Sequence, residues 1–206
     1  MGFYADKVLP HVINCACGSS DIMDQRRQVV PQATGEVLEV GMGSGLNLSL
    51  YDPAKVTRVW GLEPSEGMRA KARRNLARSP VPVEWLDLPG EQIPLPNQSI
   101  DTVVLTFTLC TIPDWHTALR QMHRVLKPTG RLLFCEHGRS PEAGVQKWQD
   151  RINPMWRKVA GGCNINRPMD RYIEDSGFRI EALHTEYMAK GPKIAGYMYR
   201  GYAVRA

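Results

Sequence analysis

The chain has no run of about eighteen apolar residues, so nothing in it reads as a membrane-crossing helix. Its opening stretch also lacks the charged-then-apolar order of a secretory signal, and together these absences make a cytoplasmic location the expectation. Cysteine is sparse. Cys15, Cys17, Cys110, Cys135 and Cys163 form an odd and scattered set, which argues against a disulfide framework. Cys15 and Cys17 are spaced C-x-C rather than C-x-x-C, with no second ligand pair nearby in sequence, and no metal is expected. Repeats and low-complexity tracts are missing as well, so the 206 residues are expected to form one domain, 1–206, with a full hydrophobic core.

The formal charge of +5 suits anionic ligands, lipid surfaces or nucleic acid without choosing among them. Many of the cations lie in the stretch Arg69 to Arg78, which is built of good helix formers and has no interleaved aromatic side chains for base stacking. A solvated helix face explains it better than a nucleic-acid partner. The most informative stretch is Val37-Leu38-Glu39-Val40-Gly41-Met42-Gly43-Ser44-Gly45-Leu46-Asn47, a buried strand running into a glycine turn. The third glycine of the dinucleotide pattern G-x-G-x-x-G is absent, because Leu46 stands in its place, which weakens a nicotinamide or flavin reading.

A strand that ends in acidic-x-Gly-x-Gly-x-Gly, here Glu39, Gly41, Gly43 and Gly45 with Asn47 following, resembles the first motif of the class I S-adenosylmethionine-dependent methyltransferases. That resemblance implies S-adenosylmethionine as cofactor, its methionine and ribose portions packed against the turn. The alternative is a tight strand-to-helix turn with no ligand. A second strand, Val56 to Leu62, leads to Glu63-Pro64-Ser65, with Ser65 placed to cap the next helix. Ligands of open parallel sheets lie beyond the carboxyl ends of the strands, so Glu63 is expected to accept from both ribose hydroxyls, the other reading being an exposed acid near a helix N-terminus.

A third strand, Val83 to Leu86, leads into a proline-rich loop, Asp87 to Pro96. In much of the superfamily the matching loop carries an Asp that receives the adenine amino group, but Pro89 occupies that place here. Gly90 and Glu91, with Met68 as an apolar wall, are left for adenine. The fourth strand, Ser99 to Phe107, should bring Thr106 to Cys110 beside the methionine portion. Asp114 caps a helix that Pro128-Thr129-Gly130 stops, and Leu132 to Cys135 form a fifth strand ending in Glu136-His137. Gly144 to Ala160 is helical in composition, Gly161-Gly162-Cys163-Asn164 breaks it, and Met169 to Asp175 is a short helix. Phe178 to Tyr187 and Ile194 to Val204 read as a closing antiparallel hairpin. The alternation of strands and helices implies a doubly wound α/β sheet. The resemblance to the class I methyltransferases implies a Rossmann-like sheet of seven strands in the order 3-2-1-4-5-7-6, with residues 1–34 as N-terminal lid helices and 138–170 as an insert over the active site.

A narrower resemblance runs through Leu109-Cys110, Phe134-Cys135-Glu136-His137, Asn153-Pro154-Met155-Trp156, Gly162-Cys163-Asn164 and Gly201-Tyr202-Ala203-Val204. These are similar to the methyltransferase-like alkyl thiol methyltransferases and their bacterial relatives, whose membrane-bound members carry an N-terminal hydrophobic anchor not seen here. It implies methylation of sulfide or a small thiol, the alternatives being a lipid, quinone or other small-molecule N-, O- or C-methyltransferase and, in another class, a non-catalytic cofactor- or nucleic-acid-binding module. The acceptor is then held by Cys110, Trp156, Cys163 and Asn164, of which Trp156 and Cys163 also read as core packing. His137, one step past the fifth strand, is the candidate catalytic base, or else a histidine bonded to a neighbouring loop. Tyr4, in a stretch with His11 that folds over the cofactor as a lid, is the candidate partner of the methionine carboxylate. The sequence leaves the oligomeric state open.

Overall fold

The computed structural model describes residues 17–206. Alternate side chains of the central strands face opposite sides of the sheet, and the strands separate two apolar layers accordingly. In β1 (Gly35–Val40), β4 (Ile100–Thr106) and β5 (Leu126–His137), Leu38, Val103, Leu105, Leu132 and Phe134 enter one layer. Val37, Val104, Leu133 and Cys135 enter the other. All nine are at most 1% exposed, which is why these strands read as nearly continuous apolar runs rather than as clean alternation.

Helices cover both layers. On the first, α3 (Trp115–Val125) inserts Ala118, Leu119, Met122 and Val125, and α5 (Met169–Asp175) adds Met169 and Ile173. On the second lie Val29 at the end of α1 (Ser20–Val29) and Leu76 at the end of α2 (Glu66–Leu76), which follows β2 (Val56–Leu62). Both expected caps are formed: Ser65 Oγ accepts from Met68 N–H, and Asp114 Oδ1 accepts from Thr117 N–H. The basic stretch forms much of α2, whose one fully buried side chain is Ala72.

With β3 (Val83–Leu86), β6 (Phe178–Tyr187) and β7 (Tyr197–Arg205), the sheet has the order β3-β2-β1-β4-β5-β7-β6 that the methyltransferase resemblance implies. β7 runs antiparallel to both neighbours, and the remaining pairs are parallel.

Two boundaries differ from expectation. β5 starts at Leu126, not Leu132, because α3 turns directly into an extended residue that pairs with Ile100, and the stretch up to Gly130 passes through a register shift. A Cβ on Gly130 would stand 2.7 Å from Leu126 Cδ1 and 2.9 Å from the Asp101 carbonyl, so only glycine lets the chain cross there. β7 starts at Tyr197, not Ile194, because Ala195 N–H bonds back to Pro192 O in a turn.

The helix after β5, α4 (Ala143–Val159), contains Pro154 and buries polar rather than apolar side chains. Gln149 Nε2 donates to the carbonyls of Gly138, Ile165 and Ile194, tying three loops together. No described helix is long and apolar enough to cross a membrane. Tyr4, His11 and Cys15 lie outside the described residues, as does the first half of the expected N-terminal lid.

Candidate active site

The carboxyl ends of β1, β2 and β4 open onto a cavity of about 370 Å³. That is within the range of small-molecule sites. Its floor is the glycine turn. Gly41, Gly43 and Gly45 all have positive φ, and a Cβ on Gly41 would stand 2.3 Å from the Thr108 side chain. Glu63 leaves the end of β2 and enters the cavity wall, where Oε2 accepts from Gly43 N–H at 3.0 Å and Oε1 from Ser65 N–H at 2.8 Å. Burial pushes Glu63 above the usual carboxylate range in spite of these two bonds. Each oxygen retains a further lone pair toward the cavity. Val40, Leu62, Met68, Pro89 and Ile112 supply apolar wall, and Gly90 and Glu91 close one end.

Beneath the turn runs a buried polar network. Arg26 Nη1, brought in by α1, donates to Asn47 Oδ1 at 2.8 Å and to Thr106 Oγ1 at 2.6 Å. Asn47 Nδ2 donates to Glu39 Oε1 and to Thr106 Oγ1, and Tyr51 O–H donates to Glu39 Oε2. Burial drives Glu39 up to about 7 against the bonds from Tyr51 and Asn47. Arg26 lines the cavity, and its Nε is buried with no partner. No carboxylate among the described residues forms an ion pair with it.

Past β4 the chain turns through Phe107, a non-glycine residue at φ 53°. Such a conformation persists only where neighbours hold it. Glu136 Oε1 accepts from Thr108 N–H at 2.7 Å and Leu109 N–H at 3.1 Å, and Arg167 donates to the carbonyls of Leu109 and Ile112. Asn164 donates its backbone N–H and its side-chain amide to Cys110 O, so the turn after α4 is fastened to this loop.

Between them three side chains converge. Cys163 Sγ is 3.2 Å from His137 Nε2, and the ligand atoms of Cys110, His137 and Cys163 all lie within 4.8 Å of one another. The Cys163 thiol is driven down to about 4 by the hydrogen bond from Cys110 and by the His137 imidazole, with Trp156 adding to the effect. Burial alone would lower His137, but the Cys163 sulfur outweighs it and the ring is raised. The arrangement favours the Cys163 anion and the protonated His137 ring over the neutral pair. Thr111 and Gly161, close in sequence to the two cysteines, line the cavity.

Of the residues expected to bind cofactor, Gly41, Gly43, Glu63, Pro64, Met68, Gly90, Glu91 and Thr106 line the cavity. Glu39, Gly45 and Asn47 do not. Glu39 and Asn47 are spent on the network beneath the turn, where they hold Thr106 and Arg26 in place. Pro89 does stand on the wall where the adenine-binding Asp was expected, while Asp87 is tied to Arg69. Of the acceptor set, Cys110, Cys163, Asn164 and His137 are brought together. The Trp156 indole nitrogen is buried facing the Cys163 sulfur. Arg26 escapes sequence reasoning, since nothing local marks one arginine of a polar helix as buried. Phe107 falls within the Thr106 to Cys110 stretch expected beside the methionine portion, but its strained φ leaves no mark on sequence.

The cavity suits the expected cofactor: a carboxylate for the ribose hydroxyls, apolar walls for a flat ring, and a buried guanidinium with an unused donor for a carboxylate. Comparison with known proteins agrees. Residues 38–134 match the family model described as "Methyltransferase domain". The chain is 31% identical over 170 residues to thiol S-methyltransferase TMT1B of Rattus norvegicus, covering 78% of this chain and 68% of that protein. It is 34% identical over 110 residues to the ubiquinone/menaquinone biosynthesis C-methyltransferase UbiE of Rubrivivax gelatinosus, covering 53% of this chain and 42% of that protein. The fold matches a crystal structure of an S-adenosylmethionine-dependent methyltransferase from Thermotoga maritima with a TM-score of 0.68 at 19% identity, over 98% of both chains.

Proposed function

The chain belongs to the S-adenosylmethionine-dependent methyltransferase family, and on that premise we propose that its methyl acceptor is hydrogen sulfide or a small alkyl thiol. The observation that carries this reading is the His137–Cys163 contact of 3.2 Å beside the cavity wall. The imidazole and thiol groups there can receive and orient a small sulfur acceptor by hydrogen bonding, and a thiol, once ionised, needs little else to attack.

S-adenosylmethionine, when bound, supplies an electrophilic methyl group on a sulfonium. Glu63 accepts the ribose hydroxyls, and its bonds to Gly43 and Ser65 keep the carboxylate aimed. Arg26 receives the amino-acid carboxylate through donors that the protein leaves unused. Met68 and Ile112 hold the ring, with Gly90 and Glu91 at its edge. Thr106, fixed from below by Arg26 and Asn47, sets the height of the chain that passes the reacting centre. The turn through Gly161, Gly162 and Cys163 covers the acceptor side and excludes water. Since in-line displacement depends on holding the nucleophile about 3 to 3.5 Å from the methyl carbon, much of the rate comes from this positioning.

The test is a side-by-side assay of purified protein with sulfide, small alkyl thiols, a quinone and phosphatidylethanolamine, with products identified by mass spectrometry. Methylated thiol as the main product supports the reading. Product from the quinone or the lipid with none from the thiols overturns it.

A further inference from the structure

Three soft donors from distant parts of the sequence meet at one point: Cys110 from the loop after β4, His137 from the end of β5, and Cys163 from the turn after α4. We propose that Cys110 Sγ, Cys163 Sγ and His137 Nε2 form a three-ligand site for a thiophilic divalent cation, zinc by its ligand chemistry, with the fourth position left for the acceptor thiol.

A tetrahedral zinc ion with bonds of about 2.3 Å to sulfur and 2.0 Å to nitrogen sets sulfur and nitrogen roughly 3.5 Å apart, and two sulfurs roughly 3.8 Å apart. The observed 3.2 Å from Cys163 to His137, and the 4.8 Å limit on the whole group, need shifts of only a few tenths of an ångström to about one. The backbone that carries the ligands is fixed in advance. Asn164 and Arg167 clamp the 109–112 loop, and Glu136 holds the N–H groups of Thr108 and Leu109.

Charge supports the same conclusion. Cys110 is 2% exposed, and Glu136, fully buried, lies in the same region. A bound dication would balance the negative charge of both sulfurs in this buried setting, which a single imidazole does not. The buried Trp156 N–H faces the Cys163 sulfur and would support it as a ligand. Three protein ligands with a free fourth position is the pattern of reactive rather than structural zinc sites.

The fourth position rests on the thiol reading given above. There the acceptor sulfur replaces a solvent molecule, the thiol proton leaves to solvent, and the sulfur retains a lone pair for the methyl group. The ion changes no oxidation state.

The experiment is titration of the reduced full chain with cobalt(II) as a spectroscopic stand-in for zinc. One equivalent should give near-ultraviolet sulfur-to-cobalt charge transfer and the intense visible bands of a tetrahedral ion. Cys163→Ser and His137→Ala should weaken or abolish both. Zinc should raise the Tm of the wild type but not of Cys163→Ser, a control that does not need turnover. Absence of tetrahedral bands in wild type, or their persistence in both ligand variants, overturns the site. Methanethiol should intensify the charge transfer. Bands that ignore methanethiol, in a protein that does methylate thiols, refute the fourth-position assignment while leaving both the three-ligand site and the thiol reading standing.

Discussion

Replacing Arg26 by Met separates the amino-acid end of the cofactor from its nucleoside end. Arg26 is 6% exposed, lines the cavity, spends Nη1 on Asn47 and Thr106, and has its buried Nε without a partner. A hydrogen bond to a charged group contributes about 1.5 to 3 kcal/mol, so losing the carboxylate contact should weaken binding roughly ten- to a hundredfold. Stability should change less. The orphaned Asn47 oxygen costs about 1 to 3 kcal/mol, but removal of a desolvated charge offsets part of it. The assay is calorimetric titration with two ligands, S-adenosylhomocysteine, which carries the amino-acid carboxylate, and methylthioadenosine, which lacks it. Arg26→Met should lower affinity for the first by the full factor and for the second by less than about threefold. An equal loss for both ligands would show that Arg26 acts only through the shape of the turn, and no loss for either would remove it from the site.

Glu63→Ala should weaken both ligands by about 1.5 to 3 kcal/mol, because both share the ribose; unchanged calorimetric affinity would remove Glu63 from the cavity's chemistry. His137→Ala should lower thiol turnover by roughly 10²-fold with cofactor affinity little changed, and the loss should shrink as pH rises and the acceptor ionises unaided. Wild-type turnover at neutral pH would return His137 to a packing role. Glu39 ionises near 4.5 when exposed, but burial raises it to about 7 in the folded chain, so between these values the folded state holds a proton that the unfolded state has lost. Its contribution to stability is therefore greatest below pH 4.5 and declines as pH rises toward 7. Relative to Glu39→Gln, the wild type should lose roughly 3 kcal/mol across that window in urea unfolding. A flat difference would mean that Glu39 is ionised throughout.

Where a signal is local, the sequence carried it. The apolar runs of β1, β4 and β5, the caps at Ser65 and Asp114, and the glycine turn each lie within a few consecutive residues, whereas the strand order came from the resemblance to the class I methyltransferases. Glu63 was legible because it follows a strand end by one residue, and strand ends face the ligand. Glu39 and Asn47 were placed with the cofactor because they belong to the same motif, yet the parity of β1 turns Glu39 into the layer beneath the turn, where Tyr51 and Asn47 receive it. The start of β5 was missed because the crossing at Gly130 depends on the Asp101 carbonyl of a neighbouring strand. The convergence of Cys110, His137 and Cys163 had no spacing to reveal it. Cysteine arithmetic found only Cys15 and Cys17, whereas the donors that meet are separated by whole secondary-structure elements and are joined by the clamps of Asn164 and Arg167.

The central claim, that the cavity holds the cofactor with its reacting sulfur toward the Cys110–His137–Cys163 wall, is tested most directly by a crystal structure with S-adenosylhomocysteine. The account predicts ribose hydroxyls on Glu63, the ring against Met68 and Ile112, the carboxylate on Arg26, and the thioether sulfur facing Thr111 and Gly161. A ligand bound in the opposite direction, or with its sulfur turned away from that wall, would contradict it.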